Sequence, residues 1–286
     1  MRRQADHFRS KDRDWSLWAI RSRWRKELWS AVLALIEEQP FSKHPQTFRF
    51  HAPDAAGGEV LFLKVFHGAS GLDAFKDIFR ESKARRSMRQ GAALARFNFN
   101  VPIAIAAGEK RHYRLLRKAF LLTIGMDGQP LPSFLGPQAP EVRTMSLAEK
   151  RRDLVQLAIE IRRLHGLGFV HGDLVPTNIF VCRSTGEGSR FFFLDNDRTR
   201  RYPRWIPQTL WRRNLVQLNR IPLPGITLQD RLRFLRTYLG SPGWTGRKRH
   251  LLLWLERKTR QRRQECDAVD PSGSFRQLMR WQGKLS

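Results

Sequence analysis

Residues 171–197 read HGDLVPTNIFVCRSTGEGSRFFFLDND, and their order decides the fold class. Asp173 comes two positions after His171 and five before Asn178, and an apolar run from Phe191 to Leu194 then delivers a second acid, Asp195. Phosphoryl transfer asks for this set. One carboxylate takes the proton of an attacking hydroxyl, while an amide oxygen and another carboxylate hold the magnesium that offsets the charge of the phosphates. The pattern predicts a hairpin, with a strand from Ile179, a turn over Ser184–Ser189 and a returning strand that ends at Asp195. That hairpin would bring Asn178 and Asp195 side by side at one end.

A lone H-x-D-x-x-x-x-N is a weak signal, and its setting is what makes it specific. Upstream, Leu154, Leu157, Ala158, Ile161 and Leu164 recur at helical spacing. Ser146 followed three residues later by Glu149 forms a capping box at the start, and Gly166 and Gly168 end the helix. Helix, glycine stop, HGD loop, apolar hairpin and acid is a much rarer succession than the loop motif alone.

With 286 residues, 41% of them hydrophobic and 11% aromatic, the chain can bury a core and suits one domain of two lobes, or two small domains. Its two cysteines, Cys182 and Cys266, lack metal-ligand spacing, which fits a reduced, cytosolic chain. No apolar run approaches the ~20 residues that cross a bilayer. The basic start is not followed by an uncharged apolar core and cleavage site, so a secretory signal is not expected. Lys plus Arg exceed Asp plus Glu by 27. Such a charge concentrates polyanions, whether nucleic acid, acidic phospholipid or a phosphorylated glycolipid.

Three segments are expected. Residues 1–40 form a basic, Trp-rich N-terminal helix, with Leu17, Ile20, Trp24, Leu28, Ala31 and Leu35 on one side. It suits either a membrane surface or docking on the body of the protein. Residues 41–130 form a small lobe. Here TFRFHA and EVLFLKVF make a hairpin around the turn-forming PDAAGGE, a helix covers 72–97, and further strands follow from VPIAIAA to RKAFLLTIGM. Lys64, alone among Leu61, Phe62, Leu63, Val65 and Phe66, is placed to grip nucleotide phosphates. The Pro- and Gly-rich DGQPLPSFLGPQAPE reads as a hinge into the large lobe, residues 131–286, which carries the catalytic and metal loops.

With these residues in hand, the chain resembles the lipopolysaccharide core kinases, the Kdo/WaaP family of the protein-kinase-like fold. The likeness runs from about Val60 to Leu239. It rests on Lys64, SKARRSMRQGAALARFNFNVP, KAFLLT before the hinge, LHGLGFVHGDLVPTNIFV, FFFLDNDRTR and WRRNLVQLNR. The resemblance implies an α+β, two-lobed fold with a small antiparallel β-sheet lobe and a mainly helical lobe. It implies Asp173 as catalytic base, Asn178, Asp195 and Asp197 around magnesium (Mg2+), and Lys64 on the phosphates of ATP. The chain departs from the kinase pattern in three places. Ser87 and Arg89 stand where a helix Glu would pair with Lys64, and Glu81 is the nearest acid. No G-x-G-x-x-G precedes the Lys64 strand. Asn196 replaces a usually apolar residue.

The expected activity is ATP-dependent phosphorylation of a sugar hydroxyl on lipopolysaccharide core or a related glycolipid. The expected partners are an anionic glycolipid acceptor and an anionic membrane surface, with the protein cytoplasmic and peripheral on the inner face of the cytoplasmic membrane. The alternatives are a pseudokinase or a small-molecule phosphotransferase of the same fold. Specific nucleic-acid binding would need a reading motif beyond charge, and none is found.

Overall fold

The computed structural model describes residues 7–269 apart from 39, 43, 54–57, 69–74, 76, 136–145, 185–187, 204, 206–208, 222, 224 and 241–244. The chain divides into a unit of Met1–Asp127 with Phe193–Arg198 and a unit of Gly128–Phe192 with Thr199–Ser286.

Alternating apolar residues build the first unit. The predicted hairpin forms as β3 (Gln46–His51) and β4 (Val60–His67). With β1 (His7–Asp12), β2 (Trp15–Ile20), β5 (Ala104–His112) and β6 (Leu115–Ile124) it makes a six-stranded sheet, ordered β1-β2-β5-β6-β4-β3 and antiparallel at every pairing. Successive side chains of a strand take opposite faces. On one face Leu61, Leu63, Val65, Phe120 and Leu122 pack with Leu28, Trp29, Val32 and Ile36 of helix α1 (Lys26–Glu37). On the other, Phe66, Ala107 and Ala119 meet Ala84 and Met88 of α2 (Lys83–Arg96). Lys64 shares the α2 face, because it alternates with Leu63 and Val65. The helix expected over 72–97 starts at Lys83, where the Ser82 hydroxyl accepts from the Arg85 amide; residues 69–74 and 76 of that stretch lie outside the described residues.

The N-terminal expectation is corrected. Among the described residues of 1–40 only Lys26–Glu37 forms a helix, whereas β1 and β2 make a hairpin that turns at Arg13, with φ of 49°. WSLWAI is so rich in apolar residues that it fits a period of two as well as one of 3.6. Pairing with β5, with Trp15 opposite Lys110 and Leu17 opposite Gly108, settles the choice. Trp15 and Trp29 are buried and meet edge to face at 5.9 Å. The Trp-rich segment is therefore core rather than a membrane-surface helix, and the sheet unit includes strands well before residue 41.

In the second unit, β7 (Gln129–Pro130) and α3 (Leu131–Leu135) occupy part of the expected hinge, and 136–145 lie outside the described residues. Helix α4 (Leu147–Gly166) begins with the predicted capping box of Ser146 and Glu149, and it buries Leu154, Leu157, Ala158, Ile161 and Leu164 as its spacing requires. Strand β8 (Phe169–Val170) pairs with β11 (Arg200–Arg201), and β9 (Ile179–Ser184) lies between β7 and β10 (Gly188–Phe193). Helices α5 (Thr209–Leu218), α6 (Leu228–Leu239) and α7 (Gly246–Val269) follow. Asp230 of α6 fastens this unit by accepting from Lys150 of α4 at 2.9 Å. The result is the expected α+β division into an antiparallel-sheet part and a mainly helical part.

Candidate active site

In the helical unit the HGD loop leaves α4 through Gly168, whose φ of +85° favours glycine and where a Cβ would come within 2.3 Å of the Tyr202 carbonyl. His171 is fully buried, and its carbonyl accepts from the Thr199 hydroxyl at 3.3 Å. Asp173 is half-buried. Its carbonyl accepts from the Val175 amide at 2.9 Å and from Asn178 Nδ2 at 3.0 Å, and Asn178 Nδ2 also lies 3.3 Å from its Oδ2. Pro176, with its fixed φ and no N–H to satisfy, opens the short 3-10 turn Pro176–Asn178 that carries Asn178 back onto Asp173. Strand β9 starts directly after Asn178, as predicted. The returning strand β10 stops at Phe193, two residues short of Asp195.

In the sheet unit, Phe193–Arg198 is bound to the sheet and α2. The Phe193 amide donates to the Asn100 carbonyl at 3.0 Å, and its ring meets Phe99 at 6.1 Å. Asp195 holds a left-handed φ of 49°, an uncommon conformation for a residue with a side chain. Its Oδ1 accepts from Lys64 Nζ, so the strand lysine that lacks a helix Glu is paired with Asp195 instead. Glu81 is taken instead by Arg85 at 3.2 Å and Arg89 at 3.1 Å. Asn196 is buried and donates to the Phe193 carbonyl at 2.8 Å, so a polar residue closes the turn where an apolar one was expected. Asp197 Oδ2 lies 3.5 Å from Arg86 Nη2, while Arg86 Nη1 donates to the Glu81 carbonyl at 3.0 Å.

A buried carboxylate supports α2 from behind. Glu109 accepts from the Ser82 amide at 2.7 Å and from Arg111 Nε at 2.9 Å. Burial alone would raise its pKa, but the bonds from Arg111 and Ser82 outweigh it and hold the carboxyl below its ordinary value.

The structure thus brings Asn178 to Asp173, Lys64 to Asp195 and Arg86 to Asp197. Among the described residues no three His, Cys, Asp or Glu side chains cluster as metal ligands. Within the sheet unit, the Asp195 and Asp197 carboxylates are hard oxygen donors of the kind magnesium takes. Sequence reading missed Arg86, since α2 carries many cations and none is marked by pattern. It also missed Asn214 and Gln217 of α5, whose amides bond the backbone of the HGD loop. Their only signal was the WRRNLVQLNR segment.

A family model described as the lipopolysaccharide kinase (Kdo/WaaP) family matches residues 55–238. No curated protein matched the chain. Among solved structures it is similar to WaaP in complex with acyl carrier protein, with 21% identity and a TM-score of 0.56 over 81% of this chain and 92% of that one. Weaker likenesses are to a double mutant of the PknI kinase domain from Mycobacterium tuberculosis, 16% identical with a TM-score of 0.38 over 72% of each chain. The Rio2 kinase–ADP/Mg2+–phosphoaspartate complex from Chaetomium thermophilum is 14% identical, with a TM-score of 0.39 over 82% of this chain and 75% of that one. The WaaP likeness agrees with the kinase-like fold. With a family match that spans more than half of its 286 residues and contains Lys64 and both acid-bearing loops, the chain belongs to the lipopolysaccharide kinase (Kdo/WaaP) family, phosphotransferases that act on sugar hydroxyls.

Proposed function

We propose that this protein uses ATP and magnesium to phosphorylate a sugar hydroxyl of lipopolysaccharide core or a related anionic glycolipid, peripherally on the inner face of the cytoplasmic membrane. The observation that carries the reading is the grip of Asn178 on both the carbonyl and the carboxylate of Asp173, in a chain of this family. Asn178 occupies Asp173 Oδ2 and leaves Oδ1 to accept the proton of the sugar hydroxyl as it attacks. A positioned base of this kind contributes roughly 10²–10⁴-fold. The family resemblance would make Asn178, Asp195 and Asp197 each a magnesium donor: Asn178 Oδ1 is not engaged in those bonds, and Asp197 has one oxygen facing Arg86 and the other for the metal. Bound magnesium would supply neutralisation of phosphate charge. Lys64 provides a compact positive charge for the same phosphates.

The acceptor class rests on family and charge, since an excess of 27 cations suits a substrate that already bears phosphates or acidic sugars. No helix among the described residues is long and apolar enough to cross a membrane. Contact with the bilayer would fall to α7, where Arg249, Leu253, Arg257 and Arg260 form one exposed stripe. We also carry over acyl carrier protein as a partner class from the similar WaaP complex, to be checked by co-purification.

The deciding experiment incubates the purified protein with ATP, magnesium and defined core glycolipids and locates new phosphate by mass spectrometry. The expected result is phosphate on a sugar hydroxyl, lost in Asp173→Ala. Transfer only to soluble sugars or amino alcohols would replace the acceptor class, and nucleotide binding without transfer would identify a pseudokinase. Flotation with anionic but not neutral vesicles, weakened by salt, tests the membrane reading.

A further inference from the structure

Two side-chain amides on α5 reach the catalytic loop from one side. Gln217 Nε2 donates to the Gly172 carbonyl at 3.0 Å, and Gln217 Oε1 accepts from the Leu174 amide at 3.2 Å. Those two groups belong to the peptide before Asp173 and the peptide after it. A single planar amide therefore spans Asp173 and fixes its φ and ψ. The direction of this amide is itself fixed. Asn214 Nδ2 donates to Gln217 Oε1 at 2.9 Å, while Asn214 Oδ1 accepts from the His171 amide at 3.0 Å and faces His165 Nε2 at 3.1 Å. His165 Nδ1 in turn lies 2.8 Å from the Tyr238 hydroxyl. Every donor in this chain meets an acceptor in only one arrangement: Tyr238 to His165, His165 to Asn214, Asn214 to Gln217, Gln217 to the loop. Asn214 and His165 are buried, so turning the Asn214 amide or the His165 ring would leave unpaired groups in a dry place.

We propose that Gln217 is a positioning residue for phosphoryl transfer, clamping the two peptides that flank Asp173 and held in its working orientation by Asn214. This deepens the proposed kinase reading and rests on it for the role of Asp173. Gln217→Glu keeps the size of the side chain and an acceptor for Leu174, but sets an anionic oxygen against the Gly172 carbonyl. Gln217→Met removes both bonds.

The test measures turnover, the KM for ATP and amide exchange at Leu174 in wild type, Gln217→Met and Gln217→Glu, and repeats turnover in an Asp173→Asn background. Misplacement of a catalytic group by about 1 Å costs on the order of 10²-fold. Turnover should therefore fall roughly 10–100-fold in both variants, with the KM for ATP little changed. The Leu174 amide should exchange faster in Gln217→Met, and the loss of turnover should largely vanish once Asp173 is replaced. Unchanged turnover would overturn the proposal, as would an equal loss in both backgrounds, which marks general destabilisation. Should the wild type transfer no phosphate at all, the kinase reading fails by itself. Exchange at Leu174 then decides the clamp: faster in Gln217→Met upholds it, unchanged refutes it.

Discussion

The two acid-bearing loops are held by opposite kinds of force. In the helical unit, Asp173 sits in a lattice of neutral, directional hydrogen bonds from Asn178, Gln217 and the backbone. In the sheet unit, Asp195 and Asp197 face cations, Lys64 and Arg86, while Phe193 and Asn196 add neutral bonds to the loop. Neutral bonds to the backbone fix an angle and ignore salt. Ion pairs fix a charge balance and can be exchanged for another ion. A general base needs the first, since it must meet one proton from one direction. On the proposed reading the second suits Asp195, Asp197 and Lys64, since each ion pair would give up its partner to magnesium or phosphate.

The largest effect should come from the acids themselves. Asp173→Ala and Asp195→Ala should each lower turnover by at least ~10²-fold with circular dichroism unchanged. Near-wild-type rates in both would mean that the contrast has been drawn around the wrong residues.

The neutral lattice should also show in stability. Burial, reinforced by His171 and opposed by the bond to Asn214, pushes the pKa of His165 from 6.5 down to about 4. Between those values the unfolded chain binds a proton that the folded chain refuses. Stability is therefore fullest above pH 6.5 and falls as pH drops toward 4, by up to ~3 kcal/mol. Urea unfolding at pH 7 and pH 4.5 should show a smaller drop in His165→Gln than in wild type. Equal drops would remove His165 as the cause.

Lys64→Ala should weaken magnesium–ATP binding roughly tenfold or more, since a charged hydrogen bond contributes ~1.5–3 kcal/mol. Lys64→Arg should restore only part of it, because a planar fork replaces a point charge. Calorimetry with no difference among the three proteins would take Lys64 out of the phosphate site. The smallest effect is expected at Arg86. Its pair with Asp197 is partly exposed, so Arg86→Gln should shift the balance by no more than about 1 kcal/mol, read as an up to about fivefold fall in the magnesium needed for half-maximal rate, since a competing cation leaves the carboxylate. The shift should shrink at high salt, which already screens the pair in the wild type. A salt-independent effect would mean that Arg86 acts through packing instead.

Where structure follows from neighbours in sequence, the chain could be read directly. The capping box of Ser146 and Glu149, the buried stripe from Leu154 to Leu164, the HGD loop, the β9–β10 hairpin and the β3–β4 pair all rest on short-range periodicity and turn chemistry. Lys64, Asp173, Asn178 and Asp195 became candidates through motif spacing and strand pattern in the same way, Asp197 through the family resemblance, and their roles stand as proposals. Tertiary structure decided what local pattern leaves open. WSLWAI is a strand because β5 supplies backbone partners to it. Lys64 has Asp195 as its partner, 131 residues later, and Arg86 has Asp197, 111 residues later. The clamp on Asp173 comes from α5, more than forty residues downstream. An ion pair or a side-chain amide forms with whatever the packed backbone brings within about 3 Å. That proximity is set by the burial of the whole apolar surface, which no single window of sequence contains.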